Sequence, residues 1–364
     1  MWRLALTVSL LCCSSEGSVS CRDENNGEVD WYILYKTPRI QDKGLTGLDY
    51  VYIYPAGQNN VTSQPNKKLI NDPNGILANT LHPLFTPPPN FGFISYNDQP
   101  PDYMKKSVSS SYGHSKGVVM VQKNRRGVWL LHSTPHFPYK RDKNHFWPES
   151  GASNAQTFIC VTFNYDQFEH IGKHLQYIRA YPFDHHIPSG FYKELQDAAE
   201  KKNPYRTLKT HKKPKVEPDK FQQLVSSGGK KFYSIAKQRS SKVEVGDLYV
   251  TISEKVNSDV DVQSWGRQHE RDGPFCPTNG EKVQNIESVK TGLGEWDAGD
   301  DHSKWCVAVD QNKPWTCIAD VNRAKTQYKR PGGALCVKDA EITNIFKSFA
   351  VSVEGCSGPR KHGH

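Results

Sequence analysis

Gly113-His114-Ser115-Lys116-Gly117 stands directly before the apolar run Val118-Val119-Met120-Val121, and Asp301-His302-Ser303-Lys304-Trp305 stands before Cys306-Val307-Ala308-Val309. The same His-Ser-Lys triplet thus occurs in each half of the chain, each time at the mouth of a run that reads as a strand. In extended backbone, residues i and i+2 project to the same side, so each His and Lys can face one ligand together. Two such units meeting face to face assemble two imidazoles and two ammonium groups around one anion. That set can cleave a phosphodiester without a metal: one His attacks phosphorus, the other protonates the leaving oxygen, and the lysines neutralise the phosphoryl oxygens. A single triplet is a weak signal, because surface lysines produce it often. The pair is the informative feature.

Working outward, strands are expected at Trp31 to Lys36, Asp49 to Tyr54, Phe91 to Tyr96, Gly117 to Val121, Gly127 to His132 and Phe158 to Phe163, all rich in Val, Ile, Tyr and Phe. Asp72-Pro73-Asn74-Gly75 turns the chain into a short helix expected to end near Leu81, before Pro83. Phe168, Ile171, Leu175 and Ile178 fall at helical spacing. In the second half, Val260 to Trp265, Lys304 to Val309, Trp315 to Asp320, Ala334 to Val337 and Ala350 to Val353 read as strands, and Glu341 to Phe349 as a helix. Strands mixed with helices in both halves predict an α/β or α+β layered fold in two lobes, 21–200 and 221–364. Between them, 201–220 holds seven lysines and Arg206 against Glu217 and Asp219, with three prolines. It reads as a solvated connector or as an arm that touches nucleic-acid phosphate.

The chain of 364 residues carries 47 Lys and Arg against 38 Asp and Glu, a net charge of +9 with its 14 histidines neutral. With 36% hydrophobic residues it is neither disordered nor fibrous, and its cationic balance suits a polyanionic partner. Met1-Trp2-Arg3, the apolar run Leu4 to Cys13 and the small residues Ser14 to Ser20 have the layout of a secretory leader, expected to be cleaved between Gly17 and Ser20. Beyond it lie seven cysteines, with no C-x-x-C pair and no zinc-type Cys/His spacing. Disulfides in an oxidising compartment are the expectation, with at least one thiol left over. Asn60-Val61-Thr62 is a glycosylation sequon. His132 and His136 stand four apart, but Pro135 opposes the helix a zinc pair would need, so no metal and no cofactor is expected.

The segments around the triplets carry more. Cys21 with Val29-Asp30-Trp31-Tyr32 and Tyr35-Lys36, Tyr96-Asn97-Asp98-Gln99-Pro100-Pro101, Trp129-Leu130-Leu131-His132-Ser133, Gln156-Thr157-Phe158-Ile159-Cys160 and Trp315-Thr316-Cys317-Ile318-Ala319-Asp320-Val321-Asn322-Arg323 join the two triplet motifs, in order, across nearly the whole mature chain. Together they closely resemble the deoxyribonuclease II family. The resemblance implies the phospholipase D superfamily fold, in which two similar α/β lobes share a central cleft and each supplies one His/Lys pair. It also implies an acid, metal-independent endonuclease acting on double-stranded DNA, normally lysosomal, which leaves 3′-phosphate and 5′-hydroxyl ends. The wider superfamily continues its motif to an Asp, where this chain has Val121 and Val309. The deoxyribonuclease II branch shares that truncation.

By the same resemblance His114, Lys116, His302 and Lys304 are the catalytic set, with His114 as nucleophile and His302 as general acid. His132 is placed near the active site, or else is a core histidine with a backbone partner. Gln156 and Asn322 are expected at comparable places after each motif, as phosphate contacts. Asp320 and Arg323 read equally as a structural ion pair. The family pattern pairs Cys21 with Cys160, Cys276 with Cys356 and Cys317 with Cys336, leaving Cys306 buried and free. A secreted toxin or defence protein of the same family is the competing class. A phospholipase would need the full superfamily motif.

Overall fold

Trp31, Ile33 and Tyr35 point to one face of their strand and Tyr32 and Leu34 to the other, and all five are buried. This strand is therefore covered on both sides. The computed structural model, which describes residues 18–57, 60–202, 221–237 and 239–361, repeats that condition in two large sheets. Residues 1–17 of the leader expected at 1–20 and nearly all of the lysine-rich segment 201–220 lie outside the described residues.

The first sheet comprises β1 (Trp31–Lys36), β2 (Tyr50–Pro55), β3 (Val61–Pro65), β4 (Phe91–Asn97), β5 (Lys116–Gln122), β6 (Arg126–His132), β7 (Gln156–Asn164) and β8 (Pro182–His186). Its order is β8-β4-β5-β6-β7-β1-β2-β3, and every pairing is antiparallel. The second comprises β9 (Phe221–Val225), β10 (Lys231–Lys237), β11 (Val260–Gln263), β12 (Val283–Thr291), β13 (Gly294–Asp297), β14 (Trp305–Ala308), β15 (Trp315–Ala319), β16 (Gly332–Lys338), β17 (Ala350–Gly355) and β18 (Gly358–Lys361). Its order is β9-β10-β16-β15-β14-β11-β12-β17-β18, with β13 beside β12. Here only β11 and β12 run parallel.

Helices fill the layers. On the outer face of the first sheet, Ile76, Leu77, Leu81 and Leu84 of α1 (Ile76–Phe85) pack with Tyr32, Val118, Met120 and Leu130. On the outer face of the second, Leu248, Tyr249 and Ile252 of α4 (Leu248–Val256) pack with Val260, Val262 and Ala334. The inner faces of both sheets enter one continuous core together with α2 (Phe168–Tyr177), α3 (Lys193–Ala199) and α5 (Ala340–Phe349). Trp31 meets Phe232, and Tyr35 meets Trp296, Trp305 and Phe349, across that seam. The architecture is mixed α/β. No helix among the described residues is long and apolar enough to cross a membrane.

One boundary differs from expectation. α1 does not stop before Pro83 but runs through it to Phe85. Pro83 falls in the last turn, so it removes one interior hydrogen bond, while burial of Leu84 among α1's contacts holds the turn in place. Three disulfides close the chain, Cys21–Cys160, Cys276–Cys356 and Cys317–Cys336, and Cys306 is free and buried on β14.

Candidate active site

The first triplet is shaped by its neighbours. A Cβ on Gly113 would lie 2.1 Å from the Ile178 carbonyl oxygen, and one on Gly117 would lie 2.4 Å from the Tyr96 hydroxyl. Only glycine lets the backbone approach this closely on either side of His114 and Lys116. Lys116 opens β5, opposite Asn97 at the end of β4. The next residue after β4, Asp98, turns back over the pair. Its Oδ2 lies 2.8 Å from His114 Nδ1, and its Oδ1 accepts from Lys116 Nζ at 2.6 Å. Arg330, from the segment ahead of β16, donates to the same carboxylate at 2.9 Å and to the Tyr112 carbonyl at 3.2 Å. Burial opposes the charge on Asp98, yet His114, Lys116 and Arg330 together hold its carboxyl well below the usual range.

The second triplet is anchored from the other sheet. Asp301, buried ahead of His302, accepts from Trp296 Nε1 and the Ser303 amide at 2.8 Å each, and from the Tyr35 hydroxyl of β1. Tyr35 also receives Ser303 Oγ at 3.2 Å and Trp305 Nε1 at 3.1 Å. A single residue of the first sheet thus pins Asp301, Ser303 and Trp305, in and beside the second triplet. His302 lies against Trp265, ring centroids 4.3 Å apart, and Lys304 Nζ donates to the His302 carbonyl.

The two triplets meet. The His302 amide donates to the Ala155 carbonyl at 2.9 Å, and the His114 amide to the Pro331 carbonyl at 3.3 Å, so each histidine is hung from the opposite half of the chain. Burial and the Lys116 and Lys304 charges bring His114 down to about 3, against the pull of Asp98. Burial, Lys304, Lys116 and His114 bring His302 down to about 3 as well. Lys304 is lowered to about 7 by burial and by Lys116. Each triplet feels the other's charge.

The other expected residues fall as follows. His132 ends β6, buried, with Nδ1 accepting from the Thr134 amide at 3.2 Å and its ring stacked on Phe158. Burial, then the Lys116 charge, pushes its pKa well down, and its Nε2 is buried without a hydrogen-bond partner. Gln156 and Asn322 are not in comparable places. Gln156 opens β7, where its Oε1 accepts from Ser133 at 2.5 Å, whereas Asn322 follows β15 and bonds Gln268 Oε1 at 2.9 Å and the Trp265 amide at 3.3 Å. Gln156 lies 40 residues beyond Lys116 and Asn322 only 18 beyond Lys304, so the two fall at different strands. Nor do Asp320 and Arg323 pair with each other. Arg323 is fully buried and bonds Asp247 at 2.9 Å, since the Asp247 side chain that caps α4 is the nearer counter-charge. Asn60 is exposed. Among the described residues no group of three or more His, Cys, Asp or Glu is placed to hold a metal ion.

Sequence reading missed the roles of Asp98, Arg330, Tyr35 and Trp265. Asp98 stood inside a quoted motif, and its sequence signal was a carboxylate at the end of a strand preceding the first triplet. Tyr35 also stood in a quoted motif, but nothing local marks its role or that of Arg330, since their partners lie more than half the chain away.

The chain matches the family described as Deoxyribonuclease II over residues 20–356. It is 32% identical to pig Deoxyribonuclease-2-alpha over 93% of this chain and 91% of the relative. It is 30% identical to human Deoxyribonuclease-2-beta over 93% and 92%, and 31% identical to Plancitoxin-1 of Acanthaster planci over 97% of each.

Proposed function

This chain belongs to the deoxyribonuclease II family and is a nuclease, and from that premise we propose an acid endonuclease that hydrolyses double-stranded DNA without a metal ion through a phosphohistidine. What supports the mechanism is that each histidine is hung by its amide from the opposite half of the chain, with Lys116 and Lys304 lowering the proton affinity of both His114 and His302. Asp98 accepts from His114 Nδ1, which leaves Nε2 as the lone pair for attack and stabilises the cationic imidazole that attack creates. His114 is therefore the nucleophile. Its Nε2–P bond forms as the P–O5′ bond breaks, and O5′ leaves with a proton from His302. Water then attacks phosphorus, His302 takes its proton, and His114 departs, giving 3′-phosphate and 5′-hydroxyl ends.

The acid dependence follows from the low proton affinity of both imidazoles. A bound phosphodiester anion raises it, and low pH fills the donor. Two lobes of phospholipase D type are supported by strand order. β4-β5-β6-β7-β1 in the first sheet and β11-β14-β15-β16-β10 in the second have the same chain sequence and the same neighbours, with a triplet ahead of β5 and of β14. Disulfides and a leader suit the secretory pathway and its acidic terminus, the lysosome, where engulfed DNA would be the substrate. The likeness to Plancitoxin-1 favours one second reading, a secreted toxin of the same chemistry. The tissue that expresses the protein separates the two.

The test is plasmid cleavage at pH 5 in excess chelator, beside phosphatidylcholine hydrolysis. Cut DNA whose 5′ ends accept phosphate without prior phosphatase treatment is expected. Activity that disappears in chelator and returns with magnesium would overturn the mechanism.

A further inference from the structure

Asp320 follows β15 and is 4% exposed. Its backbone and side chain are tied to one residue of β16: its amide donates to the Gly333 carbonyl at 3.0 Å, and Gly333's amide donates to Oδ2 at 3.1 Å. The first sheet has the same reciprocal pair. Ser133, following β6, donates its amide to the Thr157 carbonyl of β7 at 3.1 Å, and the Thr157 amide donates to Ser133 Oγ at 3.0 Å. A carboxyl therefore stands where the other sheet uses a neutral hydroxyl. Its second oxygen, Oδ1, is buried without a hydrogen-bond partner.

The groups whose charges act with it are Lys116 on β5, Lys304 ahead of β14, Asp98 after β4, Tyr96 on β4 and Tyr249 on α4. An ionised carboxylate near two ammonium groups should pair with one of them. It does not. Lys116 is taken by Asp98 at 2.6 Å and Lys304 by the His302 carbonyl, and among the described residues no ion pair reaches Asp320. A buried carboxylate oxygen without a partner is strongly disfavoured, and the group neutralises instead. We propose that Asp320 is a positioning residue that works as a neutral acid, bracing β15 against β16 while adding no second negative charge beside Lys116 and Lys304. Burial raising its pKa to about 8 agrees with the geometry. A second ionised carboxylate here would cancel the charge that the phosphoryl oxygens must meet.

This inference rests on the nuclease reading for its purpose, but its test needs no turnover. In an infrared difference spectrum of wild type minus Asp320→Asn at pH 6, the C=O stretch of a protonated carboxyl is expected. Inorganic phosphate binding at pH 5, measured by calorimetry, should change less than about threefold in the variant. A carboxylate band in the difference spectrum, or phosphate binding at least tenfold tighter in Asp320→Asn, would overturn the proposal, because either shows that a negative charge was removed. If the Asn variant does not fold, Asp320→Ser, which copies Ser133, serves in both measurements. A protein that cuts no DNA would sink the nuclease reading and leave both readouts intact.

Discussion

Replacing Asp98 with Asn keeps the shape of the carboxyl and deletes its charge, beneath three cationic or protonatable partners at 2.6–2.9 Å. These partners do not weigh equally. The Lys116 side chain is 3% exposed, His114 12% and Arg330 16%, so Lys116 alone is sealed from water. Breaking one buried pair by removing a partner costs about 3–5 kcal/mol, and that is the expected loss, not a multiple of it. The sign with pH follows from the depressed carboxyl. Its stabilisation is fully present above the ordinary value of 3.8 and is lost as pH falls through its lower folded-state value. Urea unfolding at pH 7, 5 and 3 should show a gap between wild type and Asp98→Asn that is maintained at pH 7 and 5 and narrows at pH 3. In the active site Asp98 raises the proton affinity of His114, so the variant's activity profile should move to still lower pH, with kcat/KM at pH 5 down by about 100-fold or more. A variant of wild-type stability at pH 5 that cleaves DNA within threefold of wild type would refute the reasoning.

His114→Ala and His302→Ala should each lower cleavage by roughly a thousandfold, and acid trapping should place the phosphoryl label on His114; a label on His302 reverses the assignment. DNA affinity should fall linearly in log–log with salt, and Lys304→Met should lessen the slope by about one; an unchanged slope removes Lys304 from the phosphate. His174, brought to about 3 by burial alone, binds fewer protons folded than unfolded between its folded value and 6.5. Wild type should therefore lose stability relative to His174→Gln as pH falls from 6.5 to 4, by about 1.4 kcal/mol per pH unit, and a constant difference in urea midpoints would contradict the shift. The Cys21–Cys160 bridge spans 139 residues, so Cys21→Ser with Cys160→Ser should cost about 2–5 kcal/mol in thermal or urea unfolding.

Much of the fold was legible because doubly covered strands are dense in Val, Ile, Tyr and Phe, and β1, β5 and β6 fall within a residue of where that density places them. β12 and α4 were not foreseen. Val283–Thr291 mixes Gln, Asn, Glu, Ser and Lys into a strand, and Leu248–Val256 is too short for its helical spacing to stand out. The triplets could be read locally, since His and Lys two apart on extended backbone need no distant partner to share a side. Their supports could not. Arg323 finds Asp247 only after α4 packs on the second sheet, and Arg330 finds Asp98 and Tyr35 finds Asp301 only after the two sheets have docked; no spacing encodes such meetings.

The crossed backbone bonds of the two histidines, His114 to Pro331 and His302 to Ala155, bear on when this protein becomes dangerous. On the proposed mechanism, a nuclease is a hazard to the cell that makes it from the moment its imidazoles line up. Here neither imidazole has its final support until both ends of the chain are in place, because residues 331 and 155 each belong to the other half. A nascent chain stalled after the first sheet, or a degraded one that has shed the second, holds His114 without its ceiling and lacks His302 entirely. On the proposed mechanism, such partial molecules lack one of the two imidazoles or its support, and cutting requires both halves of the chain.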